Sequence, residues 1–265
     1  MTVNVAIVAQ GLQFLNFQGV TTLGNILIAA TLEGKLIQIT PDGVVIPWVD
    51  LTRYGIPTGI VGHDNIVIVL LSAQETGHFL MGVTTGGQIS TIADLSDLIG
   101  EFGAPFGVSV HQGYYPYYWV ALSTDVVSSL GLVARITPSG KVSVLSSLPS
   151  SPFGIASNAD TLLVTQEDGN ILRIAPDGQI ISVANLVRLN YGIPLDITYH
   201  QSRWIITTNG GWLIALDTDG NVSPLINLQT AGYGIPSTLT SFNHSLFVAL
   251  TNGFLVSVTN QSAKI

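Results

Sequence analysis

The sequence predicts an all-β fold, a six-bladed β-propeller of four-stranded antiparallel blades. The main observation is a six-fold repeat in which a short apolar strand runs into a turn, as in KLIQITPDG, which ends at Gly43. The same landmark recurs at intervals of 38 to 53 residues and ends at Gly87, Gly140, Gly178, Gly220 and, in degenerate form, Ser262. A period of about 40 residues made of short β segments is typical of propeller blades. We therefore expect one propeller domain over residues 1–265.

The fourth repeat shows most clearly how one blade is built. Four short segments, 152–160, 161–165, 170–174 and 179–183, are separated by the turn sequences Asn-Ala-Asp, Glu-Asp-Gly and Pro-Asp-Gly. Residues of these types tolerate positive φ and close tight turns between antiparallel strands. Each repeat is therefore expected to be a meander of four strands, apolar on both faces because neighbouring blades cover it.

The two ends of the chain are predicted to share one blade. The sixth repeat has too few residues after its third strand for a fourth, whereas Val3–Ala9 is a strand without a partner in the first repeat. Pairing this N-terminal strand with the segment near Phe254–Val258 closes the ring and covers an exposed sheet edge.

The composition limits the classes of partner. Charged residues make up 9% of the chain and hydrophobic residues 47%, with a formal net charge of −8 and no basic cluster. A surface that follows phosphates is therefore not expected, which argues against nucleic acid and anionic membranes. No apolar run is long enough to span a bilayer, and no basic residue precedes Lys35. We expect a cytoplasmic protein, with a mature secreted form left open, and the absence of cysteine excludes thiolate chemistry.

A family resemblance follows from these repeats. Pro-Asp-Gly turns, a Pro-x-Gly entry to the inner strands and six units of this length resemble the NHL-repeat and gluconolactonase-like (calcium-dependent phosphotriesterase) propellers. That resemblance implies the fold, and it leaves lactonase, lyase, phosphotriesterase and pure binding roles open. The metal-dependent lactonases carry a Glu at the first inner strand, where this chain has Phe17–Thr22. No cofactor is evident, and a calcium or magnesium ion in the channel stays open.

One column of aromatic residues precedes the inner strands. Connectivity places the crossovers between blades on one face of the ring, the crossover face, and the first-to-second and third-to-fourth turns on the opposite turn face. Aligned on the inner-strand proline, five blades carry a ring at one position: Phe14, Tyr54, Phe102, Tyr191 and Tyr233. These rings either pack in the seams between blades or line a cup for a hydrophobic or planar molecule.

A second column contains one unusual acid. Two positions after the proline the six blades read Gly19, Gly59, Gly107, Gly154, Asp196 and Thr238. Glycine lets inner strands approach closely, whereas a carboxyl there lies beside the channel, where burial shifts its pKa. Asp196 is either a carboxylate that accepts hydrogen bonds from backbone amides or a ligand-facing acid, base or metal ligand.

Other charges and the histidines complete the candidates. Arg53, Glu101 and Arg188 lie near the aromatic column on the crossover face, where they are functional or simply solvated. Four of the five histidines lie in or beside first-to-second turns and are interpreted as turn residues: His63, His111, His200 and His244.

Two functions remain from the sequence. The first is a lyase, hydrolase or cyclase that acts on a hydrophobic or aromatic small molecule, with Asp196 as the acid or base and Arg53 or Glu101 as polarising partner. Phe14, Tyr54, Phe102, Tyr191, Tyr233 and Arg188 would then bind the ligand. The alternative is a propeller that binds a ligand or a protein without catalysis.

Overall fold

A computed structural model describes the chain over residues 2–9, 17–73, 77–100, 103–111, 117–125, 129–158 and 161–261. Within these residues the secondary structure is almost entirely β, with one short 3-10 helix at Ser96–Leu98. The predicted residues Phe14, Glu101 and Phe102 and the landmark Ser262 lie outside the described residues.

The strands of the first three blades come in chain order after the N-terminal strand. They are β1 (Thr2–Ala9), β2 (Phe17–Leu23), β3 (Ile26–Thr31), β4 (Lys35–Ile39), β5 (Val45–Asp50), β6 (Ile56–His63), β7 (Ile66–Ala73), β8 (Gly77–Thr84), β9 (Ile89–Asp94), β10 (Ala104–His111), β11 (Tyr117–Asp125), β12 (Leu130–Ile136) and β13 (Val142–Leu148).

The remaining strands form the last three blades. They are β14 (Pro152–Asn158), β15 (Thr161–Gln166), β16 (Asn170–Ile174), β17 (Ile180–Asn185), β18 (Pro194–His200), β19 (Arg203–Thr208), β20 (Trp212–Leu216), β21 (Val222–Asn227), β22 (Pro236–Phe242), β23 (Ser245–Leu250) and β24 (Leu255–Gln261).

These strands form six four-stranded antiparallel sheets arranged in a ring, which confirms the predicted fold. Five blades are consecutive meanders, and the sixth has the order β22-β23-β24-β1. The inner strands β2, β6, β10, β14, β18 and β22 each contact the next around the ring, and β22 contacts β2. The landmark glycines of the first five repeats lie in turns after the third strand of each blade.

The N-terminal strand closes the ring as the sequence predicts. β1 pairs antiparallel with β24 from Thr2 opposite Gln261 to Ala9 opposite Leu255, with Val5 opposite Val258. Blade six therefore takes strands from both ends of the chain, and β1 covers the edge that β24 would otherwise expose.

The hydrophobic core lies between the blades. In β7 the consecutive residues Val67 to Leu71 are all fully buried, because neighbouring sheets cover both faces of the blade. This is why the apolar segments of the sequence run continuously instead of alternating with polar residues.

Glycines allow the inner strands to approach one another closely. A Cβ added at Gly154 would lie 2.8 Å from Cα of Asp196 and 3.0 Å from the backbone oxygen of Leu195. A Cβ at Gly59 would lie 2.9 Å from the backbone oxygen of Phe106. Both contacts are to backbone of the next blade, which no side-chain rotation can relieve.

Each inner strand is irregular near its crossover end. In β2, Phe17 pairs with Thr31 and Gly19 pairs with Ala30, so Gln18 is an extra residue on the inner strand. The same shift follows the inner-strand proline in each of the other five blades. Such β-bulges re-aim side chains, and here they change the direction of the residue that follows the proline.

Candidate functional site

The inner strands enclose a central channel. Its volume is about 460 Å³, and residues of all six inner strands line it. Because inner strands form the edges of their sheets, they present backbone N–H and C=O groups to the channel. Many of the lining side chains carry hydroxyl groups, among them those of Thr21, Ser109, Thr198 and Ser241. The channel is therefore rich in hydrogen-bonding groups.

The bulge residues surround the crossover mouth of this channel. They are Gln18, Thr58, Phe106, Phe153, Leu195 and Ser237, and all six line the cavity. Three consecutive blades, the third to the fifth, contribute the large apolar side chains, and the sixth, first and second contribute polar ones. We call these the apolar arc (Phe106, Phe153, Leu195) and the polar arc (Gln18, Thr58, Ser237). Phe106 and Phe153 pack edge to face, with ring centroids 5.8 Å apart.

Asp196 lies one residue beyond the apolar arc and joins two blades. Its Oδ1 accepts the N–H of Ile197 at 2.8 Å, and its Oδ2 accepts the N–H of Leu239 in β22 at 2.9 Å. The carboxyl thus occupies the gap that glycine leaves between other inner strands, and it satisfies two edge amides that would otherwise lack a partner. Both readings of Asp196 remain compatible with this geometry, since a carboxylate has about four acceptor sites.

A threonine strengthens the same seam. The Oγ1 of Thr207 accepts the N–H of Asp196 at 3.0 Å and donates to the carbonyl of Ser237 at 2.9 Å. Thr165 has the same role one blade earlier, where it accepts the N–H of Gly154 at 2.8 Å and donates to the carbonyl of Leu195. These bonds fix Asp196 and the two residues of the mouth beside it.

Burial raises the pKa of Asp196 to about 6, although hydrogen bonds from the amides of Leu239 and Ile197 favour the ionised form. The carboxyl lies deep within the ring, yet the residue keeps intermediate exposure because it lines the channel. Water in the channel therefore solvates the charge in part, and the energetic effect of the shift is smaller than in a dry interior. Asp196 changes its charge near neutral pH.

We predict that Asp196 makes the protein less stable as pH rises from about 4 to about 6. Its folded pKa lies above its unfolded pKa, so the folded state binds more protons in this window and ionisation favours unfolding. Because solvent in the channel partly screens the charge, the free energy of unfolding is expected to fall by about 1–2 kcal/mol. Urea unfolding of the wild type and Asp196→Asn at several pH values measures it, because the difference between the two curves isolates this group.

Other carboxyls act in the opposite direction and cancel in that difference. Four have their pKa lowered, chiefly by a hydrogen bond from a nearby Thr, Ser or Asn side chain: Asp42, Asp50, Asp94 and Asp217. They stabilise the fold above their unfolded pKa and lose that effect as pH falls through the folded value. Asp219→Asn, in an exposed turn, controls for the removal of one negative charge. A difference curve without slope between pH 4 and 6 would contradict the assignment to Asp196.

The aromatic residues predicted to form a cup lie elsewhere among the described residues. Tyr54 and Tyr233 are half-buried and pack against the core clusters of neighbouring sheets. Tyr233 donates to the backbone oxygen of Val5 at 3.3 Å. Tyr191 packs edge to face on Trp212, with centroids 5.6 Å apart. None of these three lines the channel cavity, and their geometry is that of seam packing.

The two predicted basic residues, Arg53 and Arg188, lie beside tyrosines of the aromatic column and do not line the channel cavity. Arg53 is exposed, donates to the hydroxyl of Tyr54 and lies over its ring, 4.5 Å from the centroid. Arg188 lines an open groove of about 590 Å³ between blades four and five, and Tyr191 lines it too. The structure therefore brings Arg188 and Tyr191 together but places them apart from Asp196, which lines the channel.

Phe106, Phe153 and Leu195 were missed by the sequence analysis. The signal that marks them is the residue directly after the inner-strand proline, which is bulky and apolar in three consecutive blades. In a regular strand that position would point into the seam, and only the bulge turns it toward the channel.

The side chains of the described residues do not form a site that fits a divalent cation. Among the described residues no group of three His, Asp or Glu is arranged to hold a metal ion. Asp196 is the only carboxylate among the residues that line the described channel, and both of its oxygens already bind backbone amides. Calcium takes six to eight oxygen ligands, often with several carboxylates, and the single carboxylate of this channel lining does not meet that need.

The comparisons with known proteins identify the fold. No protein-family model matches the chain, and no curated protein matches it. Among solved structures, a PQQ-bound aldose sugar dehydrogenase from Streptomyces coelicolor has a TM-score of 0.72 at 14% identity, over 97% of this chain and 98% of that one. A catalytically inactive virginiamycin B lyase from Staphylococcus aureus with quinupristin has a TM-score of 0.66 at 15% identity, over 98% and 100%.

A third similar structure belongs to a different group of propellers. The WD40 β-propeller domain of Doa1 has a TM-score of 0.64 at 10% identity, over 99% of both chains. Enzymes and a WD40 domain thus share this architecture, which confirms the propeller resemblance at the level of the fold. No helix among the described residues is long and apolar enough to cross a membrane.

Proposed function

We propose that the protein binds an amphipathic small molecule at the crossover mouth of its channel. The observation that carries this proposal is the division of the mouth into two continuous halves. The apolar arc offers two aromatic rings and a leucine, and the polar arc offers an amide and two hydroxyl side chains. A ligand with one apolar and one hydrogen-bonding side matches both halves at once.

Asp196 indicates which charge the ligand carries. Among the residues that line the described channel it is the only acidic or basic side chain. A cationic or hydrogen-bond-donating group that passes the arcs reaches a carboxyl whose pKa is raised to about 6. Such a group favours the ionised carboxylate, so its binding is expected to strengthen as pH rises through that value.

The similar structures support a small-molecule role only in general terms. One of them is a PQQ-bound form, and another is a structure with quinupristin. Those molecules are ligands of those proteins, and at this level of identity the fold alone is shared. The chemistry of the mouth is therefore the main support for the proposal.

A matched pair of probes tests the site. We predict that 2-naphthylmethylammonium binds more tightly than 2-naphthylmethanol above pH 6, by roughly 3–10-fold, because only the ammonium interacts with ionised Asp196. Phe106→Ala and Phe153→Ala should each weaken both probes by about 5–30-fold, since each removes an aromatic wall. Isothermal titration calorimetry measures both effects.

Two tyrosine variants provide the control. Tyr54→Ala and Tyr191→Ala remove rings of similar size that do not line the channel, so affinity should stay unchanged. Asp196→Asn should remove the preference for the ammonium. The proposal would be wrong if the tyrosine variants weakened binding while the phenylalanine variants did not, or if neither probe bound at low-millimolar concentration.

A second candidate function is an enzyme of the lyase, hydrolase or cyclase type. The observation that favours it is the pKa of Asp196, which burial raises to about 6, because a group that titrates near neutral pH serves well as a general acid or base. Glu101 stays a predicted partner outside the described residues, and Arg53 lies outside the channel lining. Loss of substrate conversion in Asp196→Asn, with binding of 2-naphthylmethanol retained, would favour this function over simple binding.

A further inference from the structure

A serine and a histidine are hydrogen-bonded near the opposite mouth of the channel. The Nδ1 of His200 and the Oγ of Ser241 are 2.7 Å apart, across the seam between β18 and β22. His200 ends β18 and is only 5% exposed, whereas Ser241 is half-buried and lines the channel cavity. The hydroxyl is thus accessible from the channel, and the imidazole lies behind it.

The environment of His200 suits a base. Its pKa is lowered by burial first and then by the positive potential of Arg203 and His244. These two, from the start of β19 and from the turn after β22, are the charged and titratable groups that act on the imidazole among the described residues. The neutral imidazole therefore predominates at neutral pH, and only this form accepts a proton.

The backbone beside Ser241 adds a hydrogen-bond donor. The N–H of Leu239 points to the open edge of β22, because it donates to Asp196 in the neighbouring blade. Backbone groups alternate along a strand, so the N–H of Ser241, two residues later, faces the same edge. An N–H in this position can stabilise negative charge on an oxygen bound next to the serine.

The ring itself does not require this pair. At the equivalent position in blade two stands Gly62, whose N–H donates to Thr21 at 2.8 Å. In blade four it is Ser157, which pairs with Ser109 at 3.0 Å and donates to the carbonyl of Val110. In blade three His111 holds the position of His200, but it stacks on Tyr117 and Ser157 bonds elsewhere. Those seams thus close without a serine–imidazole hydrogen bond, so the Ser241–His200 pair is additional to what the fold needs.

We propose that Ser241 is a nucleophile activated by His200, at a second site that acts on small carboxylic esters. The Oγ attacks the ester carbonyl carbon while Nδ1 of His200 takes the hydroxyl proton. The resulting oxyanion collapses, the bond to the alcohol breaks, and the alcohol leaves with that proton. Water, activated by the same imidazole, then hydrolyses the acyl-serine and regenerates the pair.

This site is separate from the one at the crossover mouth. Asp196 and His200 lie four residues apart on β18, which corresponds to about 13 Å along the strand. The inference therefore does not depend on the proposed ligand at the apolar and polar arcs.

A fluorophosphonate probe tests the nucleophile directly. Its reaction with serine forms an Oγ–P bond and releases fluoride, while the proton passes to His200. Intact-mass spectrometry should show one adduct, and peptide mapping of the wild-type protein should place it on Ser241. The rate should rise with pH through the lowered pKa of His200 and then level off, because only the neutral imidazole accepts the proton.

Variants separate a catalytic pair from a structural hydrogen bond. Ser241→Ala should abolish labelling and p-nitrophenyl butyrate hydrolysis, and His200→Gln should slow both by about 100-fold or more. Ser157→Ala, which alters the equivalent serine of the same channel, should change neither. The inference is overturned if wild-type Ser241 is not labelled, if the adduct maps to another residue, or if folded His200→Gln reacts as fast as the wild type.

Discussion

Deletion of residues 1–10 is expected to lower the melting temperature by about 10–20 °C or to cause aggregation. β1 pairs along its length with β24, from Thr2 to Ala9. Its side chains also belong to two core clusters, with Val3 and Val5 in one and Ala9, buried to 3% exposure, in the other. The deletion removes this apolar burial, on the order of 5 kcal/mol, and exposes the edge of β24.

A circular permutant gives the control for this deletion. Moving residues 2–9 behind residue 265 through a Gly/Ser linker supplies the same strand from the other end of the chain. Because β1 and β24 are antiparallel, a short connection suffices, and the melting temperature should return close to that of the wild type. Circular dichroism measures the melting temperatures. If the deleted and intact proteins melted at the same temperature, the closing strand would contribute little to stability.

Gly154→Ala is expected to destabilise the protein by about 2–4 kcal/mol, more than most substitutions that add one methyl group. The new Cβ would meet Cα of Asp196 at 2.8 Å and the backbone oxygen of Leu195 at 3.0 Å. Relief requires blades four and five to move apart, which stretches the bond from the hydroxyl of Thr165 in blade four to the carbonyl of Leu195 in blade five. Urea unfolding monitored by tryptophan fluorescence measures the loss.

Gly86→Ala is the matched control for this substitution. Gly86 is exposed, and the nearest atom to an added Cβ is 3.9 Å away. Its change in stability should stay within about 0.5 kcal/mol, since surface substitutions away from special features rarely exceed that value. A loss at Gly154 no larger than that at Gly86 would contradict the close approach of the inner strands.

The fold was predictable because it depends on local signals that repeat. Pro-Asp-Gly and Thr-Asp-Gly turns recur after the third strand of the blades, and continuous apolar segments such as Ile66–Leu71 indicate strands covered on both faces. Closure by Val3–Ala9 followed from counting strands, since an unpaired strand and an incomplete blade stood at opposite ends. The structure confirms this pairing.

The candidate site was only partly predictable, because it depends on geometry between blades. The column of glycines identified Asp196, but its bond to the amide of Leu239 depends on the next blade. The bulges were not visible in the sequence, and they turn Phe106 and Phe153 into the channel. The bond between His200 and Ser241 joins residues 41 positions apart, which no motif spacing indicates.

The pairing of β1 with β24 also determines when folding can finish. Val5 and Val258 are direct partners, so β1 is synthesised long before the strand with which it pairs. At translation rates of about 5–20 residues per second, this delay lasts roughly 13–50 s. Throughout that time the uncharged, β-prone segment TVNVAIVA has no edge to join. The blade that contains β1 and β24 therefore cannot be complete before β24 has been translated, and chaperone demand should be highest in this interval.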